Sequence, residues 1–284
     1  MMERFTRSWE LTKLSFGVIN QDKELLLYPL LSVIFSLGFL IALLYPTIWV
    51  SLSDDGSIEW SFLEIMVTFV TYLGVAFIAT FFNVCIVFTA KTRFEGGNAT
   101  VGQSLGFAFS RIHLILGWAT ISATVGLIFR AIDHAAERLG GVGELVVGIL
   151  RSMLGMLWSA VTLFVIPAMV YKGLTPIPAI KDSIEVLKQT WGESLIRHVG
   201  FGLVQFLFLF LGALAFGGLF SVMSPSGNMA LALFIVAAIY FVGVVFVFFL
   251  AEMIFSTALY HYAANGELAP GYDENTMQGA FRVK

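Results

Sequence analysis

The stretch MALALFIVAAIYFVGVVFVFFLA, Met229 to Ala251, carries no charged residue and no proline. A helix rises about 1.5 Å per residue and the hydrocarbon core of a bilayer is about 30 Å thick, so roughly 20 apolar residues suffice to cross it. This run is long enough to span, which makes the chain a membrane protein. Immediately before it lie Ser224, Pro225, Ser226, Gly227 and Asn228, a turn-rich segment. Before that, Val199 to about Val222 forms another charge-free run. The two predict an antiparallel helical hairpin. Four more runs qualify: Leu25 to Ser53, Ile65 to Ala90, Ile112 to Phe129 between Arg111 and Arg130, and Ser152 to Tyr171 between Arg151 and Lys172.

The composition agrees. The chain has 284 residues, 58% hydrophobic and 12% charged, with a mean hydropathy of +0.88; soluble domains have roughly 45–50% apolar and about 25% charged residues. This excludes a disordered chain, a coiled coil, a nucleic-acid binder and a soluble two-domain enzyme. The net charge of −3 suggests no strong attraction to polyanions, and the single cysteine, Cys85, excludes an intrachain disulfide. Thirteen of the 16 Lys and Arg residues fall at the N-terminus, between spans two and three, between spans four and five, or in the tail. The opposite connections hold only Arg130, Arg138 and Arg151, among Asp133, Glu137 and Glu144. Positive charge is retained in the cytoplasm, so the expectation is a multi-pass protein of the cell membrane with both termini cytoplasmic. The first 24 residues lack the pattern of a cleavable signal, and span one is expected to target the chain. Arg138 is expected to pair with Asp133 or His134 across a helical turn.

Each odd-numbered span follows a short amphipathic stretch. In Pro178 to Trp191, Ile180, Ile184, Leu187 and Trp191 share a face, opposite Lys181, Asp182, Glu185 and Lys188. Thr100 to Arg111 places Val101, Leu105, Phe109 and Ile112 on one stripe, with Thr100 as N-cap. Glu3 to Ile19 groups Phe5, Trp9 and Phe16, side chains suited to headgroup depth. Superposing Ser15, Ser104 and Ser183 aligns the three stretches, each followed by two spans. The expected fold is therefore all-α: a polytopic membrane helical bundle of six transmembrane helices, in three repeats of interfacial helix plus hairpin. Residues 1–264 form one membrane domain, with repeat units at approximately 1–94, 95–174 and 175–264, and residues 265–284 form a cytoplasmic tail.

The ends of the chain carry a resemblance. Phe5 to Lys13 (FTRSWELTK) and Asp22 to Ser32 (DKELLLYPLLS) are similar to the start of the DUF6159 family of bacterial and archaeal integral membrane proteins. Ala258 to Ala263 (ALYHYA), with Gly266, Pro270, Gly271, Ala280 and Phe281, resembles that family's cytoplasmic tail. The resemblance implies no activity and no catalytic residues, because the family is uncharacterised. More distantly, the layout resembles the membrane domain attached to some glycerophosphodiester phosphodiesterases, without the catalytic barrel of those enzymes.

The search for chemistry finds little. His113, His134, His198 and His261 form no metal-binding pattern, and no cofactor is expected. Gly140, Gly141 and Gly143 are expected to break a helix rather than cradle phosphate. Glu252 is the acid flanked on both sides by long apolar tracts, and a carboxylate at bilayer depth needs a partner or water. Aligning the inner ends of spans two and six brings Asn83 level with Glu252. Asn83, Thr162, Gln205 and Glu252 are therefore the candidate intramembrane polar cluster, a proton or cation site in one reading and a hydrogen-bonded clasp in the other. Pro167 is expected to kink span four, and Gly212, Ala213, Ala215, Gly217 and Gly218 to let another helix approach span five. The first functional expectation is a nonenzymatic protein organising lipid, or docking a membrane-protein partner or a second copy of itself, through Phe5, Trp9, Phe16, Ile180, Ile184, Leu187 and Trp191. The alternatives are a transporter or channel for a small solute or ion with a polar site around Glu252, and a lipid-modifying membrane enzyme.

Overall fold

The computed structural model describes residues 17–19, 22–53, 62–191, 200–223 and 226–269. Among them the chain is helical with no strand. After a single 3-10 turn at Lys23–Leu26 come α1 (Leu27–Ser53), α2 (Phe62–Phe94), α3 (Val101–Ser110), α4 (Ile112–Leu139), α5 (Gly141–Thr162), α6 (Val165–Lys172), α7 (Pro176–Trp191), α8 (Gly200–Met223) and α9 (Asn228–Asn265). Six segments are long and apolar enough to cross a membrane, α5 and α6 together making the fourth. The protein is a multi-pass helical membrane protein. Its chain divides into two units, Leu26–Gln189 and Met1–Leu25 with Thr190–Lys284.

In the first unit α2 is the central helix, packed on α1, α3, α4 and α6. Its buried side chains run from Thr80 to Phe94, the half nearest Lys91 and Arg93. The buried residues of α4 are concentrated similarly, with Leu114, Ile115, Trp118, Ala119 and Ala123 in its first half. The core thus lies toward the basic ends of the spans. Toward the opposite ends, Val142, Leu145, Ile149, Met153 and Met156 are exposed. In lipid this costs nothing, because acyl chains are as apolar as those side chains.

Span four departs from the expected single kinked helix. It breaks at Leu163 and Phe164, one turn before Pro167. Proline has no N–H to donate to the carbonyl four residues back, and its ring crowds that carbonyl. The Leu163 N–H turns to the Ala160 carbonyl at 3.2 Å, a tightened last turn, and α6 restarts with the Ala168 N–H on the Phe164 carbonyl at 2.8 Å. The glycine-rich connection interrupts the helix only at Gly140, with positive φ at Gly140 and Gly141, so α4 and α5 run well past their apolar tracts. There Asp133 pairs with Arg151 of α5 at 3.1 Å and His134 lies 3.5 Å from Glu137, in place of the expected Arg138 contacts.

In the second unit α8 and α9 form the expected hairpin, with Phe208 against Phe248 and Phe216 against Tyr240. Gly212 makes the close approach possible. A Cβ there would stand 2.2 Å from the Tyr240 ring, and the Tyr240 hydroxyl donates to the Phe208 carbonyl at 2.9 Å. Of the small-residue surface of span five, Gly212 is buried while Ala213, Ala215, Gly217 and Gly218 are exposed. The motif Ala258 to Ala263 continues α9 as a helix, with Ala258, Leu259, Tyr260 and His261 buried.

Candidate functional site

The four polar candidates divide between the units. Asn83 (α2) and Thr162 (α5) belong to the first, and both are half-buried. The Thr162 hydroxyl donates to the Trp158 carbonyl of its own helix at 2.8 Å. Gln205 (α8), half-buried, and Glu252 (α9), exposed, belong to the second.

A different polar set is assembled in the first unit, at the basic end. Ser104 of α3 is completely buried, and its hydroxyl lies 2.7 Å from that of Thr89 on α2. Thr89 in turn donates to the Tyr28 oxygen of α1 at 3.2 Å. Since Thr89 has one hydroxyl proton, the chain runs Ser104 to Thr89 to Tyr28. The Cys85 thiol donates to the Ser104 carbonyl at 3.6 Å. Three helices are tied together by these bonds between buried hydroxyls, a thiol and a carbonyl.

A second clasp sits one interfacial helix later. Ser183 of α7, also completely buried, accepts the Phe164 N–H at 3.1 Å, at the break that Pro167 imposes. Among the described residues, α3 and α7 thus each bond back to the span preceding them. Thr100 caps α3 as expected, in a capping box: its hydroxyl accepts the Gln103 N–H at 3.3 Å, and its own N–H donates to the Gln103 side chain at 2.9 Å. Lys172 ion-pairs with Asp182, joining the end of α6 to α7.

In α3 and α7 the buried stripe lies beside, and in α7 overlaps, the apolar stripe read from the sequence. In α7 the buried stripe is Ala179, Ser183, Val186 and Leu187; Ile180 and Ile184 are half-buried on its flank, Ile177 is exposed, and Lys181, Glu185 and Lys188 are exposed on the far side. In α3 the buried positions are Ser104 and Ala108; Val101 and Leu105 are half-buried and Phe109 is exposed. Small side chains let the helix backbone approach its neighbours, and Ile180, Ile184 and Phe109 are left beside that contact. Of the expected anchors, Leu187 is buried, while Phe5, Trp9, Phe16 and the side chain of Trp191 lie outside the described residues.

The sequence marks Ser104 and Ser183 as equivalent positions, but not as bonded ones. The signal available was a small polar residue recurring inside an apolar stripe. Among the described residues no group of His, Cys, Asp or Glu could hold a metal ion.

No curated protein and no solved structure matches the chain. A family model does, that of a family of unknown function, across residues 62–270, a region running from α2 through α9 that contains both Ser104 and Ser183. The chain belongs to the DUF6159 family.

Proposed function

We propose that this is a nonenzymatic protein of the cell membrane, with both termini cytoplasmic, whose interfacial helices α3 and α7 lie at the inner leaflet and organise lipid around the bundle. The carrying observation is the division of α7 into three sectors: a stripe of Ala179, Ser183, Val186 and Leu187 buried in the protein, isoleucines beside it, and Lys181, Glu185 and Lys188 on the remaining side. A helix lying in the interface meets protein, acyl chains and water at once, and needs such sectors. The bias of Lys and Arg toward these connections supports the cytoplasmic assignment. The repeated plan of helix plus hairpin has support in two of its copies: the offset from Ser104 to Ser183 is the one that separates Cys85 from Phe164, the residues bonding to those serines.

The test uses the full chain in phospholipid vesicles. Nitroxide labels at Ile180 and Ile184 are expected to collide with dissolved oxygen, and labels at Lys181 and Lys188 with a water-soluble nickel chelate. The order of reporter lipids should rise with protein content, and Ile180→Asn with Ile184→Asn should abolish that rise. Equal access of the chelate to all four labels, or lipid order unchanged by the native protein, would sink the proposal.

A further inference from the structure

Arg111 stands at the corner between α3 and α4, its backbone N–H closing α3 on the Ala108 and Phe109 carbonyls. Its guanidinium carbon lies 5.4 Å from the centre of the Phe107 ring, and Phe107 stacks on Phe88 of α2 at 4.3 Å. On its other side the guanidinium meets Gly173, the left-handed residue (φ 64°) that ends α6. The positive φ favours glycine there, and its lack of a Cβ leaves room for the guanidinium, whose Nη1 lies 2.6 Å from where that Cβ would stand. The cation is thus held by an aromatic face and by the negative end of a helix.

Nothing in this setting uses its hydrogen-bonding capacity. Lys91 at the same corner pairs with Glu95 at 3.8 Å and lies over the Tyr171 ring, and Lys172 pairs with Asp182. Arg111, half-buried, has neither a carboxylate nor a hydrogen-bond acceptor for its guanidinium among the described residues. Its planar donors remain available in a geometry that matches phosphate oxygens in pairs.

The surface beside it is apolar. Ile112 and Leu116, one turn apart on α4, are 43% and 49% exposed. Pro176 seats against Gly117, its ring carbon 3.2 Å from where a Cβ would be, which brings Ile177, 62% exposed, to the edge of the same ridge. A fixed cation above an apolar ridge at the end of a span is complementary to one class of molecule, a phospholipid.

We propose that Arg111 binds the phosphate of an anionic phospholipid in the leaflet at the basic end, with its acyl chains along Ile112, Leu116 and Ile177. An anionic lipid is selected over a zwitterionic one because the latter carries its own cation beside the phosphate. The inference rests on the interfacial seating proposed above and deepens it by naming the lipid and the residue.

The full chain, purified in mild detergent, is titrated with phosphatidylglycerol or phosphatidylcholine and the bound lipid counted by native mass spectrometry. The native protein is expected to retain phosphatidylglycerol several-fold more than phosphatidylcholine. Arg111→Gln should abolish the preference and Arg111→Lys preserve part of it, while Lys188→Gln, the same charge change on the exposed side of α7, should leave it intact. Because Arg111→Gln also removes a cation from the end of α6, a second arm uses the native protein: phosphatidylglycerol with a photoreactive acyl chain should label peptides containing Ile112 to Leu116 or Ile177. Equal retention of the two lipids, equal loss in Arg111→Gln and Lys188→Gln, adducts spread evenly over the spans, or displacement of the lipid by inorganic phosphate would each overturn the inference. Adducts at those peptides without any rise in lipid order would refute the organising role and leave the Arg111 site standing.

Discussion

Two serines illustrate how little of a membrane protein's cohesion is hydrophobic. Lipid competes for every apolar contact, so helices are held by close packing and by hydrogen bonds whose donors have few other partners. Ser104 and Ser183 supply both, being small enough to let α3 and α7 approach and polar enough to bond Thr89 and the Phe164 N–H. Ser104→Val and Ser183→Val keep a compact side chain and remove the hydroxyl. Each is expected to destabilise the protein by about 1–3 kcal/mol, read as a lowered midpoint of thermal unfolding in detergent. Ser110→Val, at an exposed position where the hydroxyl bonds only along its own helix to Phe107, should change stability by less than about 0.5 kcal/mol. Equal effects at all three sites would mean that the clasps contribute nothing particular. Both serines are visible in the sequence as recurring small residues, but their partners lie on other helices, and no local pattern names those.

At the scale of elements, the break between α5 and α6 has one cause and one consequence. Pro167 denies the Leu163 carbonyl its helical donor, and the broken turn delivers the Phe164 N–H to Ser183. Pro167→Ala restores that donor, and the expected outcome is a continuous helix from Gly141 to Lys172. Ser183→Val should then cost less in the Pro167→Ala background than in the native protein, by a coupling of about 0.5–3 kcal/mol in a double-mutant cycle. Strict additivity would show that break and clasp are independent. The proline announces a distortion in the sequence. That the distortion is a full break, closed by a side chain from the next helix, depends on α7 being there to receive it. In α3 and α7 the apolar stripes are legible at once, yet α3 buries only Ser104 and Ala108, and α7 buries Ala179 and Ser183 together with Val186 and Leu187.

For the whole molecule, the length of α9 matters most. Its 38 residues extend about 57 Å, nearly twice the roughly 30 Å hydrocarbon core. Glu252 lies about 36 Å along the helix from Asn228, which carries it to the far headgroups when Asn228 sits at the opposite interface. A nitroxide scan of α9 in vesicles is expected to show Val245 accessible to oxygen alone, and Glu252 and Ala264 accessible to the nickel chelate. Protection of Glu252 equal to that of Val245 would place the carboxylate within the hydrocarbon. The number of long apolar segments, their pairing into hairpins, the bias of positive charge and the short amphipathic helices near Thr100 and Pro178 are all legible from the amino-acid sequence alone. Those follow from local quantities, because a bilayer tests each segment for apolar length and each connection for charge. Only the tertiary structure decided where helices continue past their apolar tracts, where span four breaks, which face of α3 and α7 is buried, and that Ser104, Thr89 and Tyr28 form one chain of hydrogen bonds. Backbone hydrogen bonding runs on regardless of hydropathy, and a buried polar group is satisfied by whatever residue packing brings to it, however distant in the chain.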